Sequence, residues 1–350
     1  MTRSTYSLLF GLIFIFGVGE ALAQEEGEKK GERYLTPEDK RDASLGKEIA
    51  DGFLVSWLVE TESQRLWEDY GDSHKTFPAE TAYNVQLAAE IELAEWAVLE
   101  LVGEAEKELE WRSQLEEGIL ALEWEDWSAD IGRLYVPFGE YYSQFISDIA
   151  LEAGETRGTG LALDYNWGDS VELSLYFVHH DDDRVNEDKK DWGMGMVYQA
   201  QTVDVQLGLA YLSAFPDDDD DVREIYDSNE KLTNAWTASA LVSLEPWLFT
   251  LEVLQADRDG LGLPKKFQHF VGFNTELGYY GIEHLRISLR RQENRGVLAS
   301  PAKQVGWGIN WISPYNFSLT YEHMWNDYEK HDDLDIIKGQ EINFGMVIEF

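Results

Sequence analysis

The sequence lacks cysteine, has few basic residues and contains only one long apolar run. Without cysteine, no disulfide stabilises the fold. The 28 lysine and arginine residues face 67 aspartate and glutamate residues, and the net charge of −39 leaves no basic patch for nucleic acid. The run from Leu8 to Val18 is too short to cross a bilayer as a helix, and no later segment approaches the length required. These absences exclude helical membrane proteins and nucleic-acid-binding proteins.

The N-terminus has the parts of a secretory signal peptide. Arg3 precedes the apolar run, and Ala21-Leu22-Ala23 is a small-residue cleavage site before Gln24. We therefore expect residues 1–23 to be removed and residues 24–51 to form a short charged periplasmic segment. That segment is too short to be the globular plug of an energised receptor. Residues 52–350 are expected to form one domain that is not coupled to an energy source.

High charge often indicates disorder, but the aromatic content argues against disorder in this chain. Phenylalanine, tryptophan and tyrosine make up 13% of the residues, including 13 Trp and 17 Tyr. Disordered segments have few aromatic residues. Abundant charge together with abundant aromatic residues fits a protein with one surface facing lipid and another facing water.

Apolar residues alternate with polar or small residues in many segments, such as VELSLYF at 171–177 and VDVQLGLAY at 203–211. A period of two is typical of β-strands with one apolar face. The pattern predicts sixteen strands, an even number as in bacterial single-chain barrels. They are expected at 52–66, 80–92, 95–103, 112–123, 127–136, 158–167, 170–180, 191–199, 202–214, 232–243, 247–257, 267–277, 283–293, 303–312, 316–326 and 339–350.

The connections and the C-terminus indicate an outer-membrane barrel. Short turns, such as Glu245-Pro246, alternate with long loops, as expected for periplasmic turns and extracellular loops. Residues 342–350 alternate apolar positions up to the terminal Phe350, which resembles the signal read by barrel assembly machinery. We therefore predict an all-β, transmembrane antiparallel barrel of about sixteen strands in the outer membrane of a Gram-negative cell.

The loop after the fifth predicted strand, residues 137–157, mixes apolar, aromatic and acidic residues. An exposed loop has no need of Phe145, Ile146, Ile149 and Leu151. A loop that folds into the barrel and packs on its wall does, so we predict an inward-folded third extracellular loop. Such a loop narrows the wide lumen of a sixteen-stranded barrel. The alternatives are a loop that covers the barrel mouth and one that packs on a neighbouring subunit.

The residues around this loop resemble the LbtU-family siderophore porins. The resemblance is carried by Gly132 to Gly139 (GRLYVPFG), Phe145 to Asp148 (FISD) and Leu151 to Thr156 (LEAGET). It is specific over about residues 130–180 and weaker over the rest of the mature chain. It implies an outer-membrane porin that passes iron-siderophore complexes. The VPFG element also occurs in phosphate-selective porins, but those need basic lumens and this chain is acidic.

Charged residues on the predicted inner surface suggest a selective constriction. Carboxylates attract cations and repel anions, so a general cation-preferring diffusion porin is the alternative function. Arg286 and Arg290 alternate inward, and with Arg133 they form a predicted basic strip facing the loop acids. Simple pairing of these charges, without a role in selectivity, is the other interpretation. The loop acids are Glu140, Asp148, Glu152 and Glu155.

Other functional classes receive less support from the sequence. Tyr141, Tyr142 and Arg157 are the candidate contacts for a ferric siderophore, since such a ligand requires aromatic and cationic groups. The acidic runs at 181–183 and 217–221 lack the spacing of a metal-binding loop, so no metal or cofactor is predicted. No catalytic Ser–His constellation is present, and we predict no enzyme. Expected partners are small cations or siderophores, outer-membrane lipid and lipopolysaccharide, barrel assembly machinery, and further copies in a homotrimer.

Overall fold

The structure is a computed structural model, and most of the chain after residue 46 is described. The described residues are 47–50, 52–70, 73–107, 111–136, 138–139, 143–145, 157–180, 191–200, 204–215, 233–257, 268–296, 301–328 and 337–349. The predicted signal peptide and most of the predicted periplasmic segment lie outside these residues. Within them, no helix has the length and apolarity needed to cross a membrane.

The described residues form eighteen antiparallel strands. Two strands, β1 (Lys47–Ala50) and β3 (His74–Thr76), are short additions that pair with β2. The other sixteen form the barrel and confirm the predicted number. They are β2 (Phe53–Asp69), β4 (Glu80–Ala94), β5 (Ala97–Lys107), β6 (Trp111–Trp124), β7 (Trp127–Tyr135), β8 (Arg157–Trp167), β9 (Val171–His180), β10 (Asp191–Gln199), β11 (Val205–Phe215), β12 (Thr233–Leu244), β13 (Trp247–Asp257), β14 (His269–Ile282), β15 (Leu285–Arg295), β16 (Lys303–Ile312), β17 (Phe317–Asp327) and β18 (Lys338–Glu349).

The sixteen strands form a closed ring. Each strand pairs with its neighbour in sequence, and the last strand, β18, pairs with β2 through the register Glu341↔Leu66 and Val347↔Glu60. Closure gives every strand two neighbours, so the backbone N–H and C=O groups of the ring find partners without water. The predicted all-β barrel is thereby confirmed.

The connections at the two ends of the barrel differ in length, as predicted. One end has tight turns such as 95–96, 125–126 and 283–284, while the other has long connections. One predicted loop was wrong, because β5 and β6 extend beyond their predicted bounds and leave only residues 108–110 between them. Glu104 and Glu106 lie outside the predicted strand, but in the structure they are residues of β5 that face inward. The amide of Asn84 donates to Glu104 Oε1 at 2.7 Å.

The outward positions carry large apolar side chains that are exposed. Leu175 and Phe177 on β9 are 39% and 48% exposed, whereas Tyr176 between them is fully buried. The same alternation confirms the predicted faces of β11, where Leu207 and Leu209 are exposed. A protein surrounded by water rarely exposes such a continuous apolar surface. The outer surface is suited to contact with lipid.

Aromatic residues border this apolar surface at both ends of the strands. Trp247 begins β13 at the short-turn end and packs on Tyr279 with ring centroids 4.8 Å apart. At the long-loop end, Trp236 on β12 pairs with Gln255 on β13. The two levels are eight residues apart along β13, about 27 Å at ~3.4 Å per residue. Allowing for strand tilt, this spacing is comparable with the ~25 Å apolar band of outer-membrane barrels.

The inner wall has an apolar part and a polar part. The apolar part, here called the inner apolar cluster, lies on β6 to β14 and the segment after β7. The polar part lies mainly on β13 to β18 and on β2 to β6, where glutamate, asparagine and glutamine side chains face inward. The inner apolar cluster comprises Ile119, Leu134, Val136, Phe138, Ala162, Tyr176, Val178, Ala210, Leu212, Ala235, Leu254, Ala256 and Phe270.

Gly160 on β8 is a position where the barrel tolerates no side chain. A Cβ atom there would lie 2.1 Å from the carbonyl oxygen of Phe177 and 2.9 Å from Cα of Val178, so the backbone would have to move. We expect Gly160→Ala to lower the free energy of unfolding by about 1–3 kcal/mol. Urea unfolding of the refolded protein in lipid measures this. Gly103→Ala is the control, because its Cβ would meet only Leu87 O at 4.0 Å, and equal losses would contradict the prediction.

Candidate functional site

Three residues of the segment after β7 lie against the inner wall. Ser143 Oγ donates a hydrogen bond to Glu276 Oε1 at 2.8 Å, and the backbone N–H of Gln144 donates to Glu276 Oε2 at 2.8 Å. Glu276 is an inward residue of β14, more than 130 positions away in sequence. Residues 143–145 are therefore held by hydrogen bonds inside the barrel.

Arg290 on β15 is the cation of this contact. Its guanidinium forms an ion pair with Glu276 at 2.8 Å, and both side chains are 0% exposed. The same guanidinium donates to Ser143 Oγ at 2.5 Å. The ring of Phe145 covers it, with 4.6 Å from Arg290 Cζ to the ring centroid. A buried charge pair needs such additional partners to offset its desolvation.

Two glycines on the wall leave room for this segment. A Cβ at Gly278 would lie 2.1 Å from Gln144 Oε1, and one at Gly308 would lie 3.4 Å from the ring of Phe145. Gly278 is paired with Ser288, and Ser288 with Gly308, so the three residues line one row across β14 to β16. This row of small residues is the shallow groove in which residues 144–145 lie.

The beginning of the same segment packs on the inner apolar cluster. Val136 is 7% exposed and Phe138 is 1% exposed, and both belong to that cluster. Val136, Phe138 and residues 143–145 therefore all contact the inner wall. The rest of the predicted loop, including Ile146, Ile149 and Leu151, lies outside the described residues, and the inward fold of the whole loop stays a prediction.

The polar part of the wall has a strong charge imbalance. Among the described residues, the buried charged side chains are nine glutamates and one arginine, Arg290. Seven of the glutamates lie on β17, β18, β2, β5 and β6, which are close together in the ring. Carboxylates crowded at low exposure produce a negative potential that attracts cations. The nine are Glu60, Glu68, Glu104, Glu116, Glu252, Glu276, Glu322, Glu341 and Glu349.

Side-chain amides donate hydrogen bonds to these carboxylates. Glu341 accepts from Gln64 Nε2 at 3.0 Å, from Asn326 Nδ2 at 3.2 Å and from Asn343 Nδ2 at 2.7 Å. Asn343 also donates to Glu322 Oε2 at 3.3 Å. The amides orient the carboxylates without cancelling their charge, because asparagine and glutamine are neutral. The wall therefore keeps its negative charge.

The structure separates the residues of the predicted basic strip. Arg286 and Arg290 are both on β15, and Arg286 lies 5.1 Å from the ring of Tyr280. Arg133 is on β7, opposite Gly118 on β6 and Thr159 on β8. Since β7 and β15 are eight strands apart in the ring, Arg133 does not continue the strip formed by the other two.

Most of the predicted loop residues are not among the described ones. Glu140, Tyr141, Tyr142, Asp148, Glu152 and Glu155 lie outside them, and of Arg157 only the backbone is described, as the first residue of β8. Their contacts with a solute stay predictions. Within the described part of the chain, no group of three or more acidic or histidine residues has a metal-binding arrangement.

Sequence reasoning placed Arg290 correctly on the inward face but did not identify Ser143, which joins Arg290 and Glu276 to the segment after β7. It also gave no weight to the inward carboxamides of Asn274, Asn326 and Asn343. Their only signal was regular alternation with apolar residues, and that signal is shared by every inward residue of a barrel strand.

Comparison with solved structures finds this fold in outer-membrane channels. OmpF of Salmonella typhi, solved as a complex with daunomycin, aligns with a TM-score of 0.61 and 13% identity over 87% of this chain and 100% of that chain. The outer membrane channel DcaP of Acinetobacter baumannii aligns with a TM-score of 0.62 and 11% identity over 87% and 99%. An anion-selective porin from Comamonas acidovorans aligns with a TM-score of 0.61 and 11% identity over 85% and 99%.

These likenesses define the fold, which is the sixteen-stranded barrel found in outer-membrane porins. Comparisons with models of known protein families and with curated protein sequences find no match. Together with the exposed apolar outer surface and its two aromatic borders, the fold makes this chain a multi-pass β-barrel of the outer membrane.

Proposed function

We propose that this barrel is a porin that gives passage to small solutes and prefers cations to anions. The observation that carries the proposal is the charge of the inner wall, where nine buried glutamates face one buried arginine among the described residues. Such a wall concentrates cations in the lumen and excludes anions. Residues 143–145 reach across to the wall at Glu276 and Arg290, which supports a constriction at that level.

Iron-siderophore complexes are the proposed cargo. The support is the resemblance of residues 130–180 to the LbtU-family siderophore porins. Tyr141, Tyr142 and Arg157 are the proposed contacts, since their phenol and guanidinium groups suit a ferric complex. Passage would be passive. A general cation-preferring diffusion porin is the second candidate, favoured by the charge of the wall alone.

Current through the refolded mature protein in a planar bilayer tests both candidates. We expect an open conductance that prefers cations and is blocked saturably by a ferric siderophore. Substitution of Tyr141, Tyr142 or Arg157 by alanine is expected to weaken the block and leave the salt conductance unchanged. Conductance without any block would favour the general porin, and no conductance would contradict both.

The four loop acids provide a second test of the constriction. Neutralising Glu140, Asp148, Glu152 and Glu155 to the corresponding amides is expected to reduce cation preference, measured as the reversal potential in a salt gradient. Assembly as a homotrimer, contact with lipopolysaccharide and insertion by barrel assembly machinery belong to the same proposal. Cross-linking of the protein in native membranes tests the first of these.

A further inference from the structure

Six side chains of alternating charge form one row on the outer surface at the long-loop end. Each member pairs directly with the next, from β15 through β16, β17, β18 and β2 to β3. The row faces outward, because the residues beside its members on the same strands, such as Asn294, Gln304 and Asn326, are buried on the inward face. We call this set the outer charge row. Its members are Glu293, Lys303, Asp327, Lys338, Asp69 and His74.

The outer charge row lies next to the aromatic border of the apolar surface. Trp325 and Trp67 precede members of the row by two positions on β17 and β2, about 7 Å along the strand, and both pair with Gln340. Farther from the long-loop end, outward residues such as Leu289 and Phe344 are apolar and about half exposed. Aromatic residues mark the interfaces of the membrane on outer-membrane barrels. The row is therefore at the level of the lipid head groups.

Two arginines that lie deeper on the strands direct their charge to this level. Arg291 is 60% exposed, and its Nε donates at 3.1 Å to Glu293, two positions nearer the long-loop end. Arg65 is exposed, and its Cζ lies 5.0 Å from the ring centroid of Trp67, again two positions nearer that end. Long cationic side chains at membrane surfaces extend in this way toward the head groups. Arg65 and Arg291 therefore add positive charge to the level of the row.

The outward positions of β15 to β18 and β2 carry more positive than negative charge. They hold five lysine and arginine residues and three carboxylates, whereas the whole chain has 28 basic and 67 acidic residues. Across the ring, the outward positions of the described residues of β9 to β12 have no lysine, arginine, aspartate or glutamate. One part of the outer surface of this acidic protein is thus cationic. The eight charged residues are Arg65, Arg291, Arg295, Lys303, Lys338, Asp69, Glu293 and Asp327.

Pairing within the sheet explains only part of this arrangement. Lys338 Nζ lies 3.9 Å from Asp327 Oδ1, but the two side chains are 69% and 58% exposed. Exposed pairs of this kind contribute little to stability. Arg65 has an apolar cross-strand partner, Ile342. The surplus of cations at the head-group level indicates an anionic partner in the membrane.

We propose that the outer charge row, together with Arg65 and Arg291, binds the phosphate groups of lipid A, the membrane anchor of lipopolysaccharide. This inference deepens the contact with lipopolysaccharide proposed above and rests on it. Lipopolysaccharide occupies the outer leaflet, which the long-loop end of the barrel faces. Lysine and arginine bind phosphate through charge-assisted hydrogen bonds. The carboxylates of the row keep the lysines apart at one level, and the surplus cations bind phosphate, while the acyl chains pack on the apolar surface beside Leu289 and Phe344.

Binding of lipid A to the refolded protein in a non-ionic detergent tests this inference. The probe is bisphosphorylated lipid A, and lipid A without phosphates and phosphatidylglycerol are the comparison lipids. Native mass spectrometry counts the bound lipid, and we expect saturable binding of the bisphosphorylated form alone. In the double variant Arg65→Gln with Arg291→Gln, the Kd is expected to rise about tenfold, since two charge-assisted contacts are lost. Lys303→Gln with Lys338→Gln should have a similar effect.

A matched control removes two cations at the long-loop end on another part of the ring. It is Lys107→Gln with Arg112→Gln, on β5 and β6, and its Kd for lipid A should equal that of the unaltered protein. Urea unfolding should show equal stability for all three double variants, because the altered residues are not buried. An equal loss of binding in the control would overturn the inference, as would unchanged binding in both variants of the cationic surface.

The comparison lipids and the oligomeric state exclude other partners. Equal binding of phosphatidylglycerol or of lipid A without phosphates would overturn the inference. Cross-linking in detergent without lipid tests whether this surface joins a second copy of the chain instead. A change of oligomeric state in Arg65→Gln with Arg291→Gln would overturn the lipid site in favour of a subunit interface. Absence of conductance in a planar bilayer would overturn the porin function and leave this inference in place, because lipid binding requires only the outer surface.

Discussion

Arg290→Met is expected to lower the free energy of unfolding by about 3–5 kcal/mol, because it leaves Glu276 as a buried charge without its cation. The guanidinium also holds Ser143 and lies under the ring of Phe145, so the segment after β7 loses its anchor. We expect the open-channel current to become noisier, as residues 143–145 move relative to the wall. Urea unfolding in lipid and single-channel recording measure the two effects.

The neighbouring residue provides a matched control. Arg291 points outward and pairs with Glu293, but that pair is exposed, with 60% and 34% of the side chains accessible. Exposed ion pairs contribute at most about 1 kcal/mol, so Arg291→Met should change neither stability nor noise appreciably. Adding Glu276→Leu to Arg290→Met should recover part of the stability and leave the noise. Quiet currents in Arg290→Met would show that the guanidinium does not anchor the segment.

Neutralising three wall glutamates is expected to lower the ratio of cation to anion permeability by about tenfold. The proposed set is Glu104→Gln, Glu322→Gln and Glu349→Gln, all at buried inward positions. A tenfold change corresponds to ~1.4 kcal/mol. This free energy is smaller than the interaction of ~3 kcal/mol between one charge and an ion ~5 Å away at an effective dielectric constant of ~20. Reversal potentials in a gradient of potassium chloride measure the ratio.

The salt dependence of this effect identifies its cause. The Debye length is about 10 Å at 0.1 M and about 3 Å at 1 M salt, so the difference between variant and unaltered protein should shrink as salt increases. Glu245→Gln and Glu283→Gln are the controls, because both residues lie exposed on short turns outside the lumen. An equal change in these controls would assign the effect to overall charge and not to the wall.

The alternation of the sequence predicted the barrel because one face of each strand meets lipid and the other meets the lumen. The predicted bounds of β10, β13 and β16 match the structure, since their apolar residues alternate without interruption. The bounds failed at β5 and β6. There Glu104 and Glu106 continue the strand as lumenal residues, and Glu116 interrupts the register as a bulge. Acidic strand residues of this kind look like loop residues in a sequence.

The candidate site was predictable only in part. Alternation placed Arg290 on the inward face, and the apolar residues after β7 indicated that Phe145 packs on the wall. No local pattern joins Ser143 to Arg290, because the contact spans 147 positions in sequence. The inward pairing of Gln292 with Gln304 depends on the register of β15 and β16, and a shift of one residue in either strand would move its side chain to the other face.

Ring closure also constrains when this protein can fold. Gln64 on β2 donates to Glu341 on β18 across 277 positions. One edge of the first strand of the ring therefore stays unpaired until the last strand is added. Until the C-terminal strand has been synthesised, any assembled sheet has two open edges that other chains can join. The growing chain must therefore be kept from pairing with other chains between translation and insertion. A chain that lacks the twelve residues of β18 would form a sheet that cannot close.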